Sequence, residues 1–200
     1  MDHATGTSQQ IEPEEERRLI IAAGRNNDAF RRLYDHYLPR VYAYVGYRIG
    51  PTGDVEDVVA EVFLKVSGGL RGFTWRGPGS FAAWLFRIAH NEVARHYRQI
   101  GAHAHDVSLE TVSETHGGLS TAGTTLETLE RTELIKKLLD ELPPRKREVI
   151  LLKFFGDLRN REIAHILNLD ERTVASHLSR GLDEMRRLWS KAVVDKERER

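Results

Sequence analysis

Hydrophobic positions recur every three to four residues along most of the chain, and nowhere alternate with polar ones as a half-buried strand requires. Phe30, Leu33, Tyr34, Tyr37, Leu38, Val41, Tyr42, Val45 and Ile49 follow the period of one long helix. Pro39 falls inside it and predicts a kink. Gly50-Pro51-Thr52-Gly53 ends it. Asp54 then reads as an N-cap, with Asp57 in a capping-box-like position. The helix it opens turns Val58, Val62, Phe63 and Val66 inward and Glu56, Asp57, Glu61 and Lys65 outward. A glycine-rich aromatic segment over 68–79 follows, and Ser80 is expected to cap a third helix with the stripe Phe81, Trp84, Leu85, Ile88 and Ala89.

Further along, Ile163, Ala164 and Leu167 share one face of a short helix, and Val174, Leu178, Leu182 and Met185 one face of the next. Asn168 sits at the reversal between them, where the left-handed conformation is needed and Asn tolerates it. Asp170 or Glu171 puts an acid at the start of the second helix, where the dipole favours it. This is the pattern of a helix-turn-helix, the unit that lays its second helix in the DNA major groove. The apolar stripe of that helix spans about 80° at 100° per residue. Arg172, Thr173, Ser176, Ser179, Arg180 and Arg187 fall on the other side. Arg can grip guanine bidentately, and Ser and Thr can donate to bases or phosphates. A three-helix packing unit with a solvated polar face fits the same spacing.

Between the two helical blocks, Gly101 to Thr128 is rich in Gly, Ser, Thr, Ala and His and has no period, so it reads as a flexible linker. The predicted fold class is all-α, with two small helical domains joined by a flexible acidic linker and a helix-turn-helix in the second. The expected segments are a tail and helix start over 1–27, a domain over 28–100, the linker over 101–128, a domain over 129–190 and a charged tail over 191–200. A coil of roughly 27 residues averages about 30 Å end to end. Two modules so tethered can sit one to two DNA turns apart, at about 34–36 Å per turn.

The zero net charge of the 200-residue chain speaks at first against a nucleic-acid binder, but its distribution does not. Net charge is −3 over 1–28, +4 over 29–101, −5 over 102–133 and +4 over 134–200. Two basic blocks are thus separated by an acidic connector. The chain has no cysteine, which excludes disulfides, zinc-thiolate sites and thiol catalysis. With no apolar run long enough to span a bilayer and a polar start, a cytoplasmic protein is expected.

On the third helix, Arg87, Asn91, Arg95 and Arg98 share a sector of about 80° beside the apolar stripe, a track suited to a nucleic-acid backbone or an ordinary solvated face. Phe73 and Trp75, with Arg76, lie in the preceding loop and are free to stack on unpaired bases, whereas Phe81 and Trp84 are at core spacing. Catalytic motifs fail. His90 and His96 are six residues apart, which turns their rings away from each other around a helix instead of together as at i, i+4. His103 and His105 fall in the linker beside Asp106. No phosphate-binding loop or nucleophile elbow is present, so no enzyme, metal or cofactor is expected.

Taken together, three stretches resemble the extracytoplasmic-function class of sigma factors, the smallest branch of the sigma-70-type family. Asp54 to Val66 is similar to the family's core-polymerase-binding helix, Phe81 to Asn91 to its promoter-melting helix, and Leu142-Pro143 through Arg187 to its C-terminal helix-turn-helix domain. The resemblance implies that Asp54, Glu56, Asp57 and Glu61, with Phe63 and Lys65, dock on the clamp helices of the polymerase beta-prime subunit. It implies that the loop Phe73 to Gly79, with Arg87, Asn91, Arg95 and Arg98, binds the non-template strand of the minus-ten element, where a flipped base held in a pocket offsets a few kcal/mol of unstacking. It implies that Arg159, Arg161 and the second helix, from Arg172 through Arg180 to Arg187, read the minus-thirty-five element. The acidic linker would imitate RNA in a basic polymerase channel.

The partners implied are core RNA polymerase, promoter DNA and an anti-sigma factor. The chain departs from the family where basic residues are usual, having Ala175, His177 and Leu182, and His177 adds charge only on protonation. It also has Ser67-Gly68 where an aromatic residue usually follows the polymerase-binding helix. Two other readings stay open: a stand-alone regulator with an N-terminal sensing domain, for which the acidic face from Asp54 has no use, and an enzyme fused to a helix-turn-helix.

Overall fold

The computed structural model describes residues 11–50, 54–101 and 126–198. Among these residues it contains eight α-helices and one 3-10 turn, and no strand. The helices are α1 (Pro13–Ala23), α2 (Asn27–Ile49), α3 (Asp54–Gly69), α4 (Ser80–Gln99), α5 (Leu126–Asp140), α6 (Pro144–Gly156), α7 (Asn160–Leu167) and α8 (Glu171–Arg198), with the 3-10 turn at Leu70–Gly72. The all-α expectation holds for the described residues.

Several local details differ from the sequence reading. The segment expected as a tail and helix start holds a separate helix, α1, opened by Pro13 in its first turn together with Glu14, Glu15 and Glu16. Asn26 is the cap that divides it from α2: its side-chain oxygen accepts from the N–H groups of Asp28 at 2.9 Å and Ala29 at 3.3 Å. α2 runs unbroken through Pro39, because Pro39 and Asp35, whose carbonyl loses its donor, both face water. Asp54 is the first residue of α3 and not a described N-cap, since residues 51–53 lie outside the described ones. Ser80 does not cap α4. Gly79 does, at φ 81°, while the Ser80 hydroxyl donates to the Gly77 carbonyl at 2.7 Å and accepts from the Arg76 N–H at 3.1 Å, folding the loop back on itself. α3 continues through Ser67 and Gly68 to Gly69, which lies against the Trp84 ring: a Cβ there would come within 2.8 Å of it.

The N-terminal core is the seam of α2, α3 and α4, where Val41, Val45, Val62, Leu85, Ala89 and Val93 are fully buried. The C-terminal core gathers Val149, Leu152, Leu158, Ile163 and Val174, also fully buried. α5 begins at Leu126, inside the expected linker, most of which (residues 102–125) lies outside the described residues, as do His103, His105 and Asp106. The two domains are not held apart. α6 packs on α2 and α4, and α7 on α4, so buried side chains form one continuous cluster. At this junction the Tyr47 and Phe155 rings stack with centroids 5.2 Å apart, and Arg40 Nε donates to the Phe155 carbonyl at 2.8 Å.

Candidate nucleic-acid and polymerase interface

The helix-turn-helix is built as its spacing predicts. α7 buries Ile163, Ala164 and Leu167. Asn168 ends it in the left-handed conformation at φ 52°, and the Leu169 N–H reaches back to the Ala164 carbonyl at 3.0 Å. α8 then turns Val174 fully inward, with Leu178, Leu182 and Met185 partly buried behind it. Gly181 lets α8 lie close against α6: a Cβ there would lie 2.8 Å from Ile150 Cδ1. With that stripe covered, Arg172, Ala175, Ser179, Arg180 and Arg187 are exposed on α8, and Thr173, Ser176 and His177 are half-buried. Among the described residues, Arg172, Arg180 and Arg187 face no carboxylate, which leaves three free guanidinium groups on the helix. Arg161 is likewise exposed, whereas Arg159 is committed to Glu162, whose carboxylate also accepts from the Arg159 N–H at 2.8 Å.

On the N-terminal domain, Asp54, Glu56 and Asp57 are exposed in the first turn of α3. Phe63 is not part of that surface. It is 6% exposed and sets its ring 4.6 Å from Tyr34, so it belongs to the core. The apolar side chain presented beside the acids is Leu64, 65% exposed and two turns on from Asp57, a residue the sequence reading passed over.

The basic track on α4 is also modified. Arg87, Asn91 and Arg98 are exposed. Arg95 is paired with Glu92 at 2.8 Å and with Glu61 of α3 at 3.4 Å, and Glu92 also accepts from Lys65. Four residues read as separate binding groups and bystanders thus form one network, in which Glu92 is 4% exposed. Its sequence signal was an acid four residues after Ile88, on the edge of the apolar stripe.

The loop aromatics are less free than their position implies. Phe73 packs on Phe81 and Trp84, at 5.6 and 4.9 Å between centroids. Trp75 is half-buried under the Arg17 guanidinium, 5.4 Å from its ring centre, with its indole Nε1 buried and unpartnered. Arg76 is exposed beside it. Among the described residues no group of three potential metal ligands gathers. His90 instead faces Tyr44 and Glu148, and His96 lies 3.9 Å from Asp54. No described helix is long and apolar enough to cross a membrane.

Two family models match this chain, Sigma-70 region 2 over residues 33–102 and Sigma-70 region 4 over residues 132–185. Among similar proteins, the ECF sigma factor BldN of Streptomyces coelicolor is 31% identical over 161 residues, 80% of this chain and 60% of BldN. SigW of Bacillus subtilis is 28% identical over 81% of this chain and 89% of its own length. The Escherichia coli K12 sigma-E factor is 30% identical over 76% of this chain and 82% of its own. In solved structures, CnrH in complex with the cytosolic domain of CnrY superposes with a TM-score of 0.62 at 25% identity, over 88% of this chain and 97% of that one. Bartonella quintana RpoE, in complex with the anti-sigma factor NepR, shares the fold at a TM-score of 0.63 and 22% identity, over 80% of this chain and 96% of that one. With both regions present in order and 30% identity extending over most of sigma-E, the chain belongs to the extracytoplasmic-function class of RNA polymerase sigma factors.

Proposed function

We propose that this chain is a non-catalytic initiation subunit, acting in the cytoplasm, that binds core RNA polymerase and directs it to a promoter. The observation that carries the reading is the pairing of a helix-turn-helix whose α8 bears Arg172, Arg180 and Arg187, unpaired among the described residues, with an acidic α3 face at Asp54, Glu56 and Asp57. In this reading α3, with Leu64 added and Phe63 removed, docks on the beta-prime clamp helices. The loop from Phe73 to Gly79, with Arg87, Asn91 and Arg98, grips the non-template minus-ten strand. Arg95 joins it only if Glu61 and Glu92 release it. α8 reads the minus-thirty-five element through Arg172 and Arg180, with Ser176 and Ser179 on adjacent groups. CnrH is in complex with the cytosolic domain of CnrY and the Bartonella RpoE with the anti-sigma factor NepR, and this chain would likewise bind an anti-sigma partner.

Run-off transcription with purified core polymerase over a random promoter library tests this. The expected result is transcripts from a defined promoter class only when the chain is added. No binding to core at any concentration overturns it.

A further inference from the structure

Glu148 of α6 is 4% exposed, yet its polar partners all belong to the other domain. Its Oε1 accepts from the Tyr44 hydroxyl at 2.6 Å and lies 3.0 Å from His90 Nδ1. Its Oε2 lies 2.5 Å from Arg48 Nη1. Tyr44 and Arg48 are on α2 and His90 on α4. Tyr97 of α4 closes the socket by donating to the Arg48 carbonyl. Burial alone would raise the Glu148 carboxyl, but the Arg48 charge and the hydrogen bonds from His90 and Tyr44 outweigh it and hold it down at about 2. The group is therefore a buried carboxylate facing a guanidinium across a domain boundary.

A second contact joins the same two domains. Arg159 Nη2 reaches the Pro78 carbonyl at 3.5 Å, and a Cβ at Gly79 would lie 3.5 Å from Glu162 Oε1. The N-terminus of α7 thus sits on the loop that the functional reading assigns to the minus-ten strand.

We infer that this chain latches itself shut. Glu148 is the bolt, the Tyr44–Arg48–His90 socket is the catch, and the latched form covers the minus-ten loop with α7. The inference rests on the proposed function for what the latch blocks, though not for the latch itself. A buried ion pair suits this work. Its desolvation cost largely offsets its Coulomb gain, so it selects which faces meet more than it binds them tightly. On opening, Glu148 and Arg48 recover their hydration, which offsets part of the cost of baring the apolar contacts beside them, such as Tyr47 on Phe155. Promoter elements one to two DNA turns apart, at about 34–36 Å per turn, require the open form, because the latched form holds α7 against the minus-ten loop.

Small-angle scattering on the full chain tests the latch. A compact chain of this length has a radius of gyration of about 17 Å. The parent should lie near that value, and Glu148→Lys should raise it by roughly a quarter or more with helical circular dichroism retained. The double variant Arg48→Glu/Glu148→Lys should return toward the parent. Should Glu148→Lys lose its helical signal, Tyr44→Phe, which removes the hydroxyl that meets Glu148 and His90 and keeps the ring, is read in the same way and should expand the chain by less. A parent already extended, or folded variants that scatter like it, overturns the latch. The opened variant should also bind a single-stranded minus-ten oligonucleotide, taken from the promoters the library selects, several-fold more tightly than the parent. An unchanged oligonucleotide affinity overturns the blocking role, while no core binding by any variant sinks the functional reading and leaves the scattering result standing.

Discussion

Lys65 of α3 donates to Glu92 of α4 across the seam between the proposed polymerase face and the proposed minus-ten face. Glu92 also holds Arg95, so one buried acid sets the posture of two basic side chains. Glu92→Ala should therefore lower stability by about 1–3 kcal/mol, toward the low end of buried-pair losses because Lys65 and Arg95 can rehydrate. A fall of several degrees in the melting temperature is expected. An unchanged melting temperature would remove Glu92 from the structural seam.

The network also decides which charge reversal reports on docking. Glu61 pairs with Arg95, so reversing it disturbs α4 as well. Glu56 and Asp57 are exposed, and neither forms an ion pair among the described residues. Glu56→Lys/Asp57→Lys should weaken core-polymerase binding by about tenfold or more. Because both residues lie in the first turn of α3, where its dipole favours acids, the melting temperature should fall by a few degrees while the fold is retained. Core affinity equal to the parent's, by fluorescence anisotropy, would take these acids off the docking surface.

Arg180 is exposed on α8 and free of any carboxylate among the described residues. Arg180→Ala should cost about 1–3 kcal/mol in upstream-element recognition and relax specificity at one base pair. A holoenzyme footprint unchanged in strength and sequence would exclude that contact.

Asn168 carries the turn at φ 52°. Asn168→Gly should be nearly neutral, while Asn168→Val should destabilise by about 1–3 kcal/mol, since a β-branched residue is strained in the left-handed region. Thermal denaturation of the two variants reads the difference directly. Equal melting temperatures would show that the turn relaxes without cost.

The Glu148 carboxyl is held at about 2 against an ordinary 4.5. Depressed in the closed form, it contributes to closure above its ordinary value, and the contribution fades as pH falls from about 4.5 toward 2. The groups around it are Tyr44 and Arg48 on α2, His90 and Tyr97 on α4, and Arg147 beside it on α6. Scattering profiles from pH 7 to pH 3 should show the parent expanding at the acid end. Glu148→Gln should lack that part of the transition, and identical profiles would assign acid expansion to other carboxylates.

Periodicity alone was enough for the all-α class and for the helix-turn-helix, because a stripe such as Ile163, Ala164 and Leu167 has one way to be buried on a helix. Asn168 was legible for the same reason: few residues but Asn and Gly tolerate the conformation that the reversal imposes. The three stretches that resemble the sigma family were also readable residue by residue.

Side-chain availability was not readable in this way. Periodicity turned Phe63 inward while the family resemblance put it on the docking face, and the packing of α3 on α2 decides between them by setting its ring against Tyr34 and leaving Leu64 in water. Arg95 reads as a free cation until α3 brings Glu61 beside it. Glu148 is 104 positions from Tyr44 along the chain, and no local pattern can announce a pairing across that separation. The sequence by itself determined the helices and the turn, because periodicity and backbone conformation act over a few residues. Only the tertiary structure decided which charges are free and that the two domains meet, because desolvation and ion pairing depend on what folding brings alongside.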